Sequence, residues 1–260
     1  MTERIQVKNK TINVKKIGDV NSDTLLIFIH GLTGNYLQMH HFQSYFKGRF
    51  DTLSYDLSGR GDSSLQDDPA NIHQHSEDLL ALLSELNYEK YILIGYSMGG
   101  YIALETAAQS SKVQKVVLLD GGGMADDNTS QLVLPSLGRL EKTFESSNDY
   151  LDMMKQTYSA LGVGWSSVMD EVIHHEIHEV DHKIQPKSDY KLTKQDFESF
   201  YDYPHTDIYE QINVPVFLII CTGPIKDNIP LFRKAGYDPM LSTVKDIQSA
   251  EYALNHYEIV

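Results

Sequence analysis

A serine held between glycines at the end of an apolar run has chemical consequences, and the chain carries one in Gly95-Tyr96-Ser97-Met98-Gly99. A serine hydroxyl is a weak nucleophile. To attack a carbonyl it needs exposure, a base, and donors for the oxyanion that forms. Tyr91-Ile92-Leu93-Ile94 before the pattern reads as a buried strand, and Tyr101-Ile102-Ala103-Leu104 after it reads as a helix. A sharp turn from strand to helix lifts Ser97 above the carboxyl edge of a sheet. The flanking glycines let the backbone turn without Cβ clashes. The helix N-terminus then adds partial positive charge beside the developing oxyanion. The five-residue pattern alone is common by chance; strand, turn and helix in that order make it specific.

The elements that must hold this serine follow from the hydrophobic pattern. Segments 3–9 and 11–18 read as a hairpin around Lys10, and 24–30 as a strand buried on both faces. A helical stretch at about 36–48 leads to a strand at 50–56. Leucines at 79, 80, 82, 83 and 86 mark a helical face over 71–86. A strand at 90–95, a helix at 98–109 and a strand at 115–120 come next, ended by Gly121-Gly122-Gly123. Such alternation predicts an α/β fold, a mostly parallel twisted sheet with helices on both faces. Beyond 123 the pattern changes to polar, helix-like stretches, and strand character returns at 214–221, with a weaker strand near 242–247. The expected organisation is a core of 1–123 and 209–260, interrupted by an inserted helical cap over 124–208.

With these parts in place the chain resembles the α/β-hydrolase superfamily, in its cap-bearing serine esterase branch. The resemblance rests on the elbow at Ser97, on His30-Gly31-Leu32-Thr33-Gly34 after an early strand, and on Asp56-Leu57-Ser58-Gly59-Arg60-Gly61-Asp62-Ser63. It implies an oxyanion hole made by the backbone N–H groups of Leu32 and Met98, with His30 organising the loop. It also implies the order serine, acid, histidine. The histidine is then His256, in Leu254-Asn255-His256-Tyr257. The acid is Asp227, in the loop after strand 214–221, with Asp120 at the end of the preceding strand as the rival. That loop is one residue longer than the family's usual spacing. The family also closes its fold with a long helix after the histidine, where this chain has only Tyr257-Glu258-Ile259-Val260. A homodimer covering that part of the sheet is therefore expected.

Other residues invite chemistry but support plainer readings. His174, His178 and His182 have i, i+4 spacing, yet H-x-E-x-H is not a zinc motif, and a solvated cap helix explains them. Cys221 ends an apolar run with no elbow around it and reads as a core thiol. Tyr150, Met153, Met154 and Tyr158 read as lobe packing, and His40 and His41 as a surface helix beside the pocket. The charge of −14 argues against nucleic acid or anionic membrane as partner. A single cysteine and a polar start fit a cytoplasmic protein, and no run is apolar enough to span a bilayer.

The expected activity is cleavage of small to medium carboxylic esters through an acyl-enzyme on Ser97, without metal or organic cofactor. The same constellation would serve a carbon–carbon bond hydrolase or a thioesterase. A lyase of menaquinone synthesis has similar Ser-Met-Gly-Gly elbows but places arginine where this chain has Tyr101. A ligand-binding sensor that keeps the fold and turns over slowly is the reading from a different class.

Overall fold

The apolar runs line up side by side in one sheet. The computed structural model describes residues 2–18 and 22–260. Its strands are β1 (Glu3–Val7), β2 (Lys10–Ile17), β3 (Thr24–Ile29), β4 (Asp51–Tyr55), β5 (Lys90–Tyr96) and β6 (Val113–Leu119). A separate hairpin, β7 (Ile177–Val180) and β8 (Lys183–Pro186), precedes β9 (Val216–Cys221) and β10 (Ile247–Tyr252). The eight sheet strands lie in the order β1-β2-β4-β3-β5-β6-β9-β10. From β4 to β10 every neighbouring pair is parallel, and β1 and β2 add an antiparallel edge.

Two placements differ from expectation by a few residues. The first hairpin turns at Lys8-Asn9, with Lys8 in the left-handed region, so Lys10 is already in the strand. The last strand begins at Ile247, because 238–243 form a short helix opened by Pro239.

Helices cover the sheet because alternate strand residues point to opposite faces. Leu25, Ile27, Leu93, Leu118 and Leu218 face the larger core, shared with α2 (Ile72–Glu85) and α3 (Met98–Gln109). The α2 leucines Leu79, Leu82 and Leu83 are buried there, each contributing roughly 1.5–3 kcal/mol over exposure. Asn71 starts that helix by accepting the Gln74 N–H. On the other face Leu26, Phe28, Ile94 and Leu119 pack with residues of α1 (His40–Phe46).

Between β6 and β9 lie α4 (Asp127–Leu137), α5 (Ser147–Ala160), α6 (Ser167–His175), the β7–β8 hairpin, α7 (Tyr190–Glu198) and α8 (His205–Gln211). The side chains of Asp126, Ser146, Ser166 and Asp189 cap α4 to α7 in turn. A small apolar cluster of Tyr150, Leu151, Met154, Ile173 and Ile177 holds α5, α6 and the hairpin together. By contrast α8 packs on α3, and its Tyr209 hydroxyl donates to the Gly122 carbonyl at 2.6 Å. The last helix, α9 (Asp238–Thr243), packs on α8. No helix among the described residues is long and apolar enough to cross a membrane.

Candidate active site

Ser97 is the one residue between β5 and α3, at φ +53° and ψ −119°. A non-glycine residue held there costs about 1–3 kcal/mol, so its surroundings must enforce the conformation. They do so by close backbone contact. A Cβ on Gly95 would fall on the Gly99 carbonyl, and one on Gly121 would fall on the Ser97 carbonyl. The Ser97 N–H donates to the Leu119 carbonyl at 3.1 Å, and its carbonyl accepts the Gly100 N–H at 2.9 Å.

Beside it stands His256, whose Nδ1 is 2.8 Å from Asp120 Oδ2, with both side chains buried. A carboxylate only accepts, so Nδ1 is the donor, and in the neutral ring Nε2 keeps its lone pair. Asp120 follows β6 directly. Its Oδ1 accepts the Cys221 N–H at 3.0 Å and the Tyr237 hydroxyl at 3.0 Å. The His256 ring stacks on Tyr96, centroids 4.8 Å apart, and the Tyr96 hydroxyl donates to the His256 carbonyl at 2.9 Å. Phe232 closes another side of the imidazole, at 5.4 Å. Position, tautomer and tilt of the ring are therefore all fixed.

The expected acid, Asp227, is corrected by this geometry: the carboxylate on His256 belongs to Asp120. The reason lies in the loop after β9. The Gly223 N–H donates to the Leu254 carbonyl at 2.8 Å, so backbone packs on backbone just ahead of His256. A Cβ at Gly223 would strike Leu254. Asp227 comes four residues later, exposed, on a tight turn bridged by Lys226 and Ile229 with positive φ at 227 and 228. Asp120 instead sits where neighbouring β6 and β9 bring it under the His256 turn.

The glycine loop after β3 supplies the other wall. Gly31, Leu32, Ser97 and His256 line one small cavity of about 70 Å³. Met98 opens α3, so its N–H has no carbonyl a turn behind it. Neither it nor the Leu32 N–H donates to a protein acceptor among the described hydrogen bonds. The carbonyl in the same peptide unit as the Leu32 N–H, that of Gly31, accepts the Gly34 N–H at 3.2 Å, and the next carbonyl, of Leu32, accepts Arg60 Nε at 2.7 Å. His30 organises the loop: Nδ1 donates to the Gly31 carbonyl at 2.7 Å, and Nε2 accepts the Leu57 N–H at 3.0 Å. Burial pushes its pKa down to about 4, so it stays neutral.

Two buried ionic clusters join the cap to this loop, and neither was read from the sequence. Arg60 Nη2 meets Asp196 of α7 at 2.7 Å with both side chains fully buried, and His75 Nε2 lies 3.1 Å from the same carboxylate. Burial alone would raise the Asp196 pKa, but His75 and then Arg60 outweigh it and bring it to about 2. Asp56 accepts the Tyr36 and Asp62 N–H groups and His175 Nε2 of α6, at 2.9 Å each. Burial opposes its ionisation too, yet His175 and these amides hold its pKa below the usual range. The D-x-x-G-x-G pattern hinted at a structured loop but could not say which cap residues answer it.

The cap roofs the cavity with Val133, Ser136, Tyr158, Glu176, Phe197 and Phe200. Tyr158 and Tyr257, with ring centroids 6.2 Å apart, also line two neighbouring cavities of about 360 and 690 Å³. Tyr158 is thus a pocket wall as well as packing. His41 lines the first of these cavities, away from Ser97. The histidine face expected on one cap helix does not form: α6 ends at His175, His178 is in β7, and His182 is in the turn after it. No group of three metal-ligating side chains occurs among the described residues. Cys221 is buried at the end of β9, and burial raises its thiol pKa.

Comparison with known proteins agrees with this architecture. A family model described as alpha/beta hydrolase fold matches residues 24–163. A 3-hydroxybutyrate-oligomer hydrolase of Cupriavidus necator is 30% identical over 146 residues, 54% of this chain and 50% of that protein. A 2-(acetamidomethylene)succinate hydrolase of Mesorhizobium japonicum is 27% identical over 121 residues, 46% of this chain and 42% of that one. The chain thus spans half or less of the length of these curated relatives. The crystal structure of an E-2-(acetamidomethylene)succinate hydrolase superposes with a TM-score of 0.86 at 18% identity, covering 100% of this chain and 94% of the other. At that identity the likeness is one of fold.

Proposed function

The chain belongs to the α/β-hydrolase fold family, and on that footing we propose that it is a serine hydrolase cleaving small to medium carboxylic esters through an acyl-enzyme on Ser97. The observation that carries this reading is the contact between His256 Nδ1 and Asp120. With the proton of the neutral ring on Nδ1, Nε2 is the basic nitrogen, on a ring that lines the same cavity as Ser97.

In the proposed cycle Ser97 Oγ attacks the ester carbonyl as His256 Nε2 takes its proton. Asp120 keeps the tautomer and stabilises the imidazolium. The Leu32 and Met98 amides hold the oxyanion; losing one such donor typically costs about 10²–10³ in rate. His256 then protonates the leaving alcohol, and water attacks the acyl-enzyme by the same route in reverse. The small cavity at Ser97 and the apolar one beyond Tyr158 and Tyr257 support an acyl or alcohol group of modest length.

An active-site fluorophosphonate probe and p-nitrophenyl esters of graded chain length test the proposal. Wild type is expected to label at Ser97 and to turn over short and medium esters. Ser97→Ala should do neither. If the variant matches wild type in both assays, the hydrolase reading falls.

A further inference from the structure

We infer that the substrate carries a carboxylate, bound in the cavity of about 690 Å³ next to the nucleophile by Arg139, Lys142 and Lys226. This rests on the serine-hydrolase reading above and names the substrate class of that same site. The cavity adjoins the one at Ser97, sharing Thr33, Ser136, Tyr158 and Tyr257 as walls. The space beside Ser97 holds only a few atoms, so any substrate larger than the reacting group must extend past those walls.

The chemistry of the larger cavity is one-sided. Three cations line it and no aspartate or glutamate does, in a chain whose net charge is −14. Lys142 and Lys226 are exposed and have no ion-pair partner among the described residues. Arg139 is more constrained. Its Nη1 donates to the Ser136 carbonyl at 3.2 Å, and Tyr150 and Glu176 are close enough to favour its charged form. Its Nε is buried with no partner among the described residues.

A buried N–H left without an acceptor is costly, and a guanidinium edge matches a carboxylate with two parallel hydrogen bonds. Glu176 partly balances Arg139, but it takes the Tyr150 hydroxyl at 3.0 Å and lines the nucleophile's cavity instead. The charged side chains that line the larger cavity are therefore all cationic. The neighbouring cavity is walled mainly by apolar side chains such as Val168, Val172 and Ile173, and carries the Glu258 carboxylate. The site fits a molecule with an apolar end and an anionic end on either side of the scissile bond.

Two matched pairs of esters test this, since the carboxylate can lie on either side of that bond. Monophenyl glutarate is compared with its methyl ester, and 4-acetoxybenzoate with its methyl ester. Each is measured as kcat/KM with wild type and as Kd with Ser97→Ala. The charged member of at least one pair should be preferred tenfold or more. Adding Arg139→Gln should lower that ratio by about ten- to a hundredfold.

Lys142→Ala with Lys226→Ala, both exposed and so compatible with folding, should lower the ratio several-fold, more at low salt than at high. Equal handling of both members of both pairs overturns the inference while leaving the hydrolase reading intact. So does a preference that survives Arg139→Gln in a protein with an unchanged melt; if that variant does not fold, the lysine pair decides. Arg139-dependent binding to Ser97→Ala without any turnover by wild type would keep the anion site and refute the hydrolase.

Discussion

Under the proposed mechanism, exchanging one oxygen for one NH2 at Asp120 should cost nearly all of the nucleophilic catalysis, for a reason visible in its hydrogen bonds. Oδ1 of Asp120 accepts two donors, the Cys221 N–H and the Tyr237 hydroxyl. In Asp120→Asn the amide oxygen must take that place, because an NH2 there would face two donors. The NH2 is thereby forced toward His256 Nδ1, where it needs an acceptor. The imidazole answers by moving its proton to Nε2, the atom that has to accept from Ser97. A wrong tautomer of this kind costs about 10⁴-fold in kcat, or about 5.5 kcal/mol of barrier. Both original hydrogen bonds to Oδ1 survive, so the melting temperature should shift by only a few degrees.

The assay is p-nitrophenyl ester turnover together with the rate of fluorophosphonate labelling, run in parallel on Asp120→Asn and Asp227→Asn. Asp227 is exposed and outside the cavity, so its variant should stay within about twofold of wild type. Retention of more than a tenth of the activity by Asp120→Asn would refute the tautomer argument. A collapse of Asp227→Asn would return the acid to the loop after β9.

Two further expectations concern what holds the site. Gly121→Ala places a methyl against the Ser97 carbonyl, so it should destabilise the fold by about 1–3 kcal/mol and lower turnover more than binding; thermal melts and a kcat-against-KM comparison check this. Asp196 titrates near 2 in the fold but near 3.8 when unfolded, so its contribution is present above about pH 4 and is lost as pH falls toward 2. That contribution is on the order of 2 kcal/mol. Urea titrations from pH 5 to 2 should show the slope in wild type and a flatter one in Asp196→Asn, whose stability is lower throughout because Arg60 is left buried without its counter-charge.

Much of this was legible in the residues themselves. A long apolar run such as Thr24–Ile29 has few alternatives to a buried strand, and the glycines around Ser97 mark a backbone that must turn in close quarters. The choice between Asp120 and Asp227 was not legible. Each follows a core strand, β6 and β9 lie side by side, and only the folded contact with His256 separates the two. The hairpin β7–β8 escaped for a local reason. Its strands are four residues each, with only Ile177 and Pro186 buried, and follow α6 after the single residue Glu176, so the histidine spacing imitates a continuing helix. Contacts between distant segments, such as Arg60 with Asp196, have no sequence signature because neither residue says what it will face.

The Arg60–Asp196 pair also sets a rule for exchanging caps between members of this family. One charge is carried by a core loop and the other by the cap, so they do not travel together in a transplant. A chimera that brings in a cap without an acid at the place of Asp196 would strand a guanidinium in the interior, next to the Leu32 carbonyl it binds. Cap and core here are separate in chain order but share one buried ion pair, and recombination that ignores the pair should yield proteins that fail at the loop rather than at the seam.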